Sequence, residues 1–308
     1  MARARSFHKI PGRSLAFTFL IGLCAALAAA QQPPKPHASP APWLIILPPK
    51  IVAGAPATLA VLDSQGRLLP RIAVELPDGQ KVTTGATGRA MFKAPDQPGR
   101  MIAKISSLGI HASSTIVNLE GSGSQAASQG APAGAAVLFY PHVIAVHDRF
   151  TLEGSGFRGA ADFNHVYLNG DPCLVVASSP VSIVALPGPG VPVGEVTLHV
   201  TIAGAEAGQF PISAVQLEFS GPEEAVTAGS TGELTLHARG TTEPLLLEVR
   251  NVSPEVIQLS NGNVQRVKTS GGDENIAPVE VKFVTDGNYT VSARLISANP
   301  RRTQEPAR

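Results

Sequence analysis

The residues able to carry chemistry are few and scattered. His142 and His147 lie five positions apart. On or beside a β-strand an odd spacing sends two side chains to opposite faces, so they cannot share a metal without a bulge. They read as two unrelated surface or edge histidines. His165, His199 and His237 fall on separate strands with no second ligand at hand. Gly272-Asp-Glu-Asn275 offers oxygen donors but lacks the alternating Asp spacing of a calcium loop, and reads as an acidic turn. No metal ligand is assigned, and no cofactor is expected.

Nucleophiles fare no better. Ser155 sits between Gly154 and Gly156. That is not the Gly-x-Ser-x-Gly elbow, and no strand-to-helix transition follows it. Nor is it a phosphate loop, which needs further glycines or a Lys-Ser/Thr and an opening helix. Cys173 has no cationic or helix-terminal setting nearby and reads as a small buried apolar side chain. Asn251-Val-Ser253 and Asn288-Tyr-Thr290 match the glycosylation acceptor pattern and read as incidental. A sugar-stacking face needs aligned exposed aromatics. Trp43, Tyr140, Tyr167 and Tyr289 are dispersed along the chain and read as core or edge residues. No catalytic residue is assigned, and the ligand-binding residues stay unknown at this stage.

The elements that would have to position such residues are more legible. The 308 residues include 30 Gly and 27 Pro, with 5% aromatic and 15% charged residues. Many short strands joined by Gly/Pro turns follow from that composition. The formal net charge is +1. Such a balance gives no electrostatic case for nucleic acid or an anionic membrane. Arg3, Arg5, Lys9 and Arg13 precede an apolar run from Leu15 to Leu27 and the small residues Ala28-Ala29-Ala30. This is the pattern of an export signal over 1–30, cleaved before Gln31. Cys173 would then be the only cysteine left, so no internal disulfide is expected and the domains must rely on hydrophobic burial. No later stretch is apolar for long enough to span a bilayer.

Taken in order, residues 31–42 form a Pro-rich extended tail. Residues 43–119 carry turn signals every eight to twelve residues or so, the spacing of a β-sandwich. Asp78-Gly79 supplies a hairpin turn there. Residues 120–136 are a Gly/Ser/Ala-rich linker with a coil reach of about 20–25 Å, which implies that the first domain moves independently of the rest. Residues 137–212 form the second domain. In it Phe150-Thr-Leu-Glu-Gly-Ser-Gly-Phe157 is an alternating strand that ends in a turn, and Asn169-Gly170 closes a hairpin. Val196, Leu198, Val200 and Ile202 share one face of the strand that follows. Residues 213–297 read as a third sandwich in which Asp286-Gly287 joins the last two strands as a hairpin. Residues 298–308 read as a disordered tail. The fold class is all-β: three Ig-like sandwiches in tandem after a signal peptide.

Two resemblances sharpen this. The segment from Val61 to Gly99, with its strand ending in Asp-x-x-Gly and its Thr84-Gly-Ala-Thr-Gly-Arg-Ala90 run, resembles bacterial Ig-like repeats of the intimin and invasin kind. In the second domain, Thr151, Leu152, Gly154, Phe157, Gly170, Pro187 and Gly194 occupy the places of the IPT/TIG pattern. That segment resembles an IPT/TIG domain, although Val146-His-Asp-Arg149 is shorter than the family's usual lead-in. The resemblance implies an Ig-like sandwich and no particular activity.

The expectation is a non-enzymatic exported protein acting in adhesion, scaffolding or protein binding at the cell envelope, in the periplasm, at the surface or outside. The expected partner is a protein or a glycan there, not nucleic acid, with no transmembrane helix left after cleavage. The alternative is a carbohydrate-binding accessory to a secreted glycan-acting system, which would need two or three aromatics on one exposed face. A small hydrolase would need acids or histidines converging in a cleft between domains.

Overall fold

The computed structural model describes residues 44–63, 66–77, 79–118, 134–222, 227–296 and 301–303. The apolar N-terminal segment, the Pro-rich stretch, Trp43, Asp78 and most of the Gly/Ser/Ala linker lie outside them. The chain is all-β.

The first sandwich is built from β1 (Leu44–Ile46), β2 (Lys50–Val52), β3 (Pro56–Leu62), β4 (Ala73–Glu75), β5 (Lys81–Thr83), β6 (Arg89–Lys93), β7 (Gly99–Ile105) and β8 (Ile110–Val117). One sheet runs β2-β8-β7-β4-β5, with β2 parallel to β8; β1, β3 and β6 form the other layer. Ile51, Leu59, Val74 and Met101 are fully buried between the layers.

The second sandwich comprises β9 (Ala136–Tyr140), β10 (Val143–Ala145), β11 (Phe150–Ser155), β12 (Asn164–Leu168), β13 (Asp171–Ser179), β14 (Ser182–Leu186), β15 (Gly194–Ile202) and β16 (Ala205–Ser220). Leu168 pairs with Asp171 across a two-residue turn in which Asn169 has φ 51° and Gly170 φ 89°. Positive φ at both central residues is the tight-hairpin geometry that Asn-Gly favours. The alternation in β15 is as the sequence implies, with Val196, Leu198, Val200 and Ile202 all buried.

Gly154 is required by a close approach. A Cβ there would lie 2.1 Å from the Ala136 carbonyl oxygen and 2.5 Å from Phe157 Cζ. The ladder between β11 and β9 shifts register at this point, and Phe157 turns back into the core.

The third sandwich adds β17 (Thr231–Arg239), β18 (Leu246–Asn251), β19 (Ile257–Leu259), β20 (Val264–Lys268), β21 (Ile276–Phe283) and β22 (Val291–Leu295). One sheet runs β19-β21-β17-β16 and the other β20-β18-β22. The hairpin expected at Asp286-Gly287 does not form. β21 already has β17 on one edge and β19 on the other, so β22 has no free edge to join. The chain crosses the sandwich instead, and β22 pairs with β18. Tyr289 packs edge-on against Phe283 along the way.

The C-terminal stretch also departs from the expected disordered tail. Arg301 and Arg302 form β23, which pairs with β9, and the Thr303 hydroxyl donates to the Val137 and Leu138 carbonyls. β9 has a vacant edge on that side. A polar segment can fill it because strand pairing uses backbone groups and needs no apolar side chains.

The sandwiches are fused rather than strung loosely. Between the second and third, β10 and β16 serve both cores. Ile144, Ile212 and Ala214 belong to one core, while Val143, Ala145, Val215 and Leu217 belong to the other. Between the first and second there is a small dry seam of Ile46, Ala60, Leu62, Val176, Ala177 and Val184. The Thr58 and Ser178 hydroxyls both donate to the Gly159 carbonyl, at 2.6 and 2.8 Å, and Ser179 donates to the Lys50 carbonyl at 2.6 Å. These buried contacts overturn the expectation that the first sandwich moves independently. Strands buried on both faces lose apolar contact and hydrogen bonds if they part.

Candidate interaction groove

The seam has a groove on its outer side. It holds about 170 Å³ and is lined by Arg89, Asp162, His165, Tyr167, Cys173 and Leu174, among others. Each wall has a local cause. Arg89 opens β6 on the first sandwich, and its guanidinium reaches across the seam. It donates to the Val175 carbonyl at 3.0 Å and pairs with Asp162 at 2.5 Å, with only 13% of the Arg89 side chain exposed. His165 and Tyr167 are two apart on β12, so both face outward while Val166 and Leu168 face the core. Pro172 is opposite Tyr167 on β13, and Leu174 follows on the same face. Leu174 in the lining is 42% exposed, and Phe163, which sits in the chain between the lining residues Asp162 and Asn164, is 57% exposed.

Several of the lining side chains are already committed to partners within the fold. Arg89 already has its partners. Burial pushes the Cys173 thiol up to about 12, so it stays protonated and non-nucleophilic at neutral pH. Tyr167 stacks against His199, with ring centres 5.7 Å apart, and His199 pairs with Glu206 at 2.6 Å.

The other residues singled out from the sequence are placed apart. His142 pairs with Glu243 at 3.3 Å, His147 is exposed, and His237 bonds to the Ser220 hydroxyl at 2.8 Å. Among the described residues, no three His, Cys, Asp or Glu side chains are arranged to hold a metal ion. In the 272–275 turn, Asn275 is buried. It accepts from the Gly271 amide and donates to the Thr241 and Glu243 carbonyls, which makes it a structural clamp. Asn251 is likewise buried: it donates to the Ile257 carbonyl and accepts from the Ser253 amide, so a glycan has no access to it.

Of the aromatics considered as a platform, Tyr140 is buried against Phe210, with ring centres 4.3 Å apart, and Tyr289 is in the third core. Trp43 lies outside the described residues. Tyr167 alone faces a groove. Sequence reasoning missed Arg89, Asp162 and Phe163. The available signal was the unbroken apolar run Leu59–Leu62 in β3 and Val175-Val176-Ala177 in β13, which marks strands covered on both faces and therefore a neighbouring sandwich.

The fold defines an Ig-like protein of several β-sandwich domains. Residues 139–219 match the IPT/TIG domain family, so the central sandwich is the segment the family pattern describes. No curated protein sequence matches the chain. Among solved structures, the chain is similar to Bacteroides ovatus mixed-linkage glucan utilization locus SGBP-B in complex with a mixed-linkage heptasaccharide. The identity is 12%, 87% of this chain and 76% of that one are covered, and the TM-score is 0.30. It is also similar to the plexin A4 extracellular region, at 10% identity over 85% of this chain and 33% of that one, with a TM-score of 0.32. Sidekick-1 immunoglobulin domains 1–4 align at 13% identity over 80% and 76%, with a TM-score of 0.22. Among the described residues, no helix is long and apolar enough to cross a membrane.

Proposed function

We propose that this is an exported, non-enzymatic binding module of the bacterial cell envelope, which presents the groove under Arg89 to a partner protein. One observation carries the reading: the groove is built across the seam, from two sandwiches held together by buried side chains and hydrogen bonds. Its shape is therefore set before a partner arrives, which lowers the ordering cost of binding. Leu174 in the groove and the exposed Phe163, next in the chain to the lining residue Asp162, supply the apolar contact that protein interfaces use at their centres. Export rests on the N-terminal basic and apolar pattern. The test is affinity capture from envelope fractions with the wild type and with a Phe163→Ser, Leu174→Ser double variant. A protein retained by the wild type and lost with the variant supports the reading. Equal capture by both, or capture of nothing, overturns it.

A glycan ligand is the second reading, favoured by Tyr167 lying in the groove beside Arg89, Asp162 and His165. Binding to a glycan array that disappears with Tyr167→Ala would establish it. An array with no Tyr167-dependent signal would remove it.

A further inference from the structure

The outer face of the β20-β18-β22 sheet is strongly basic. Leu246, Glu248 and Arg250 point outward from β18, alternating with buried Leu247, Val249 and Asn251. By register, Glu248 lies opposite Arg266 on β20 and Arg294 on β22, and Leu246 lies opposite Lys268. The face therefore presents Arg250, Arg266, Lys268 and Arg294 around the single carboxylate of Glu248. Four cations against one anion give a net +3, in a chain whose formal total is +1. Glu248 is shared by Arg250 at 3.4 Å and Arg294 at 3.5 Å, and those arginine side chains remain 58% and 50% exposed. Among the described residues, Arg266 and Lys268 form no ion pair.

The pattern continues around one edge of the sheet. Arg294 also lines a groove of about 190 Å³ at the junction of the second and third sandwiches, together with Arg149, Asp148, Ile144, Phe150 and Leu295. Asp148 approaches Arg149 only to 3.9 Å. Charged residues on an edge strand commonly serve to keep it from pairing with other chains. Here they extend across the middle strand and the far strand, beyond what edge protection requires.

We infer that this face binds an extended acidic segment of a partner protein. Three features select that occupant. Arginine, which predominates here, grips carboxylates in a fork that lysine lacks. On β20 the cations Arg266 and Lys268 are two residues apart, a spacing of about 6.5–7 Å, the same interval at which an extended peptide presents the side chains of one face. Finally, β20 and β22 each pair with β18 alone, so the sheet has open edges to which an extended peptide can add. A second copy of this chain fits less well. The opposite sheet's outer face has Glu218, Glu233 and Glu280, but Arg239 and Lys282 lie among them and Arg239 already pairs with Glu218 at 3.6 Å. This face is separate from the groove under Arg89, so its test stands apart from that of the proposed function.

The probe is a fluorescently labelled peptide of strictly alternating Glu and Thr, titrated against the full chain. The expected result is saturable binding that weakens with salt and falls about tenfold or more in an Arg266→Glu, Arg294→Glu variant. Backbone amide shifts in β20 or β22 should accompany it. Circular dichroism of the variant should match the wild type, because both side chains face solvent. Equal binding by the charge-reversed chain would overturn the inference, as would equal binding of a peptide with the same residues in separate Glu and Thr blocks. Tighter binding of polygalacturonate or of phosphatidylglycerol vesicles would overturn it too, as would self-association of the chain through this face.

Discussion

Substituting Gly159 by alanine tests how the first two sandwiches are joined. Gly159 lies where the second sandwich meets Pro56 of the first. An added Cβ would be 2.2 Å from the Pro56 carbonyl oxygen and 2.6 Å from its carbon, both backbone atoms that no rotamer change can move. Restoring ordinary contact requires the two backbones to part by roughly 1 Å. The Gly159 carbonyl accepts from Thr58 at 2.6 Å across the seam, and a shift of that size stretches this bond beyond useful range. One buried hydrogen bond at about 1 kcal/mol, with an overpacking term of about 1–3 kcal/mol, puts the cost at about 3 kcal/mol. Chemical denaturation reads this as a lower midpoint. Small-angle scattering reads it as a larger radius of gyration, because the first sandwich is no longer held against the second. A variant with the wild-type midpoint and the wild-type scattering profile would refute the seam.

Gly154→Val places a branched side chain against the Ala136 carbonyl and the Phe157 ring, so the central sandwich should lose its cooperative thermal transition; a normal melt contradicts the close approach. Asn251→Ala leaves the Ile257 carbonyl and the Ser253 amide without their partner, at a cost of about 2 kcal/mol read from the unfolding midpoint, and mass spectrometry should find no glycan on Asn251. Cys173 gives a pH signature. Its thiol is pushed up from 9.0 to about 12 in the fold, chiefly by burial, so between those values the unfolded chain releases a proton that the folded chain keeps. Stability must therefore fall as pH rises from about 9 towards 12. Cys173→Ser should flatten that decline, and an unchanged alkaline slope would contradict the burial.

What the sequence made legible follows from which interactions are local. The Asn169-Gly170 hairpin, the alternation in β15 and the turn after Phe150 each depend on residues close in the chain, and each is found as read. Asp286-Gly287 has the same local chemistry, yet pairing there is decided by β19, which fills the edge of β21 from some twenty residues upstream. The seam was hidden for a related reason. Ala60 and Leu62 alternate with Leu59 and Val61, so β3 carries apolar residues on both faces, and only the fold shows that the second face meets Val176, Ala177 and Val184. The groove depends on that seam: Arg89 and Asp162 are 73 residues apart and gain a shared role only once the two sandwiches touch. Arg301 and Arg302 pair through their backbones, which side-chain patterns do not report.

The most direct measurement is site-specific photo-crosslinking in intact envelopes, with p-benzoylphenylalanine in place of Leu174 at the groove rim or of Ile102 on the first sandwich. Both positions are comparably exposed, at 42% and 43%. The account predicts a discrete protein adduct from position 174 and none from 102. No adduct from 174, or the same adduct from both positions, would contradict a partner docking in the groove under Arg89.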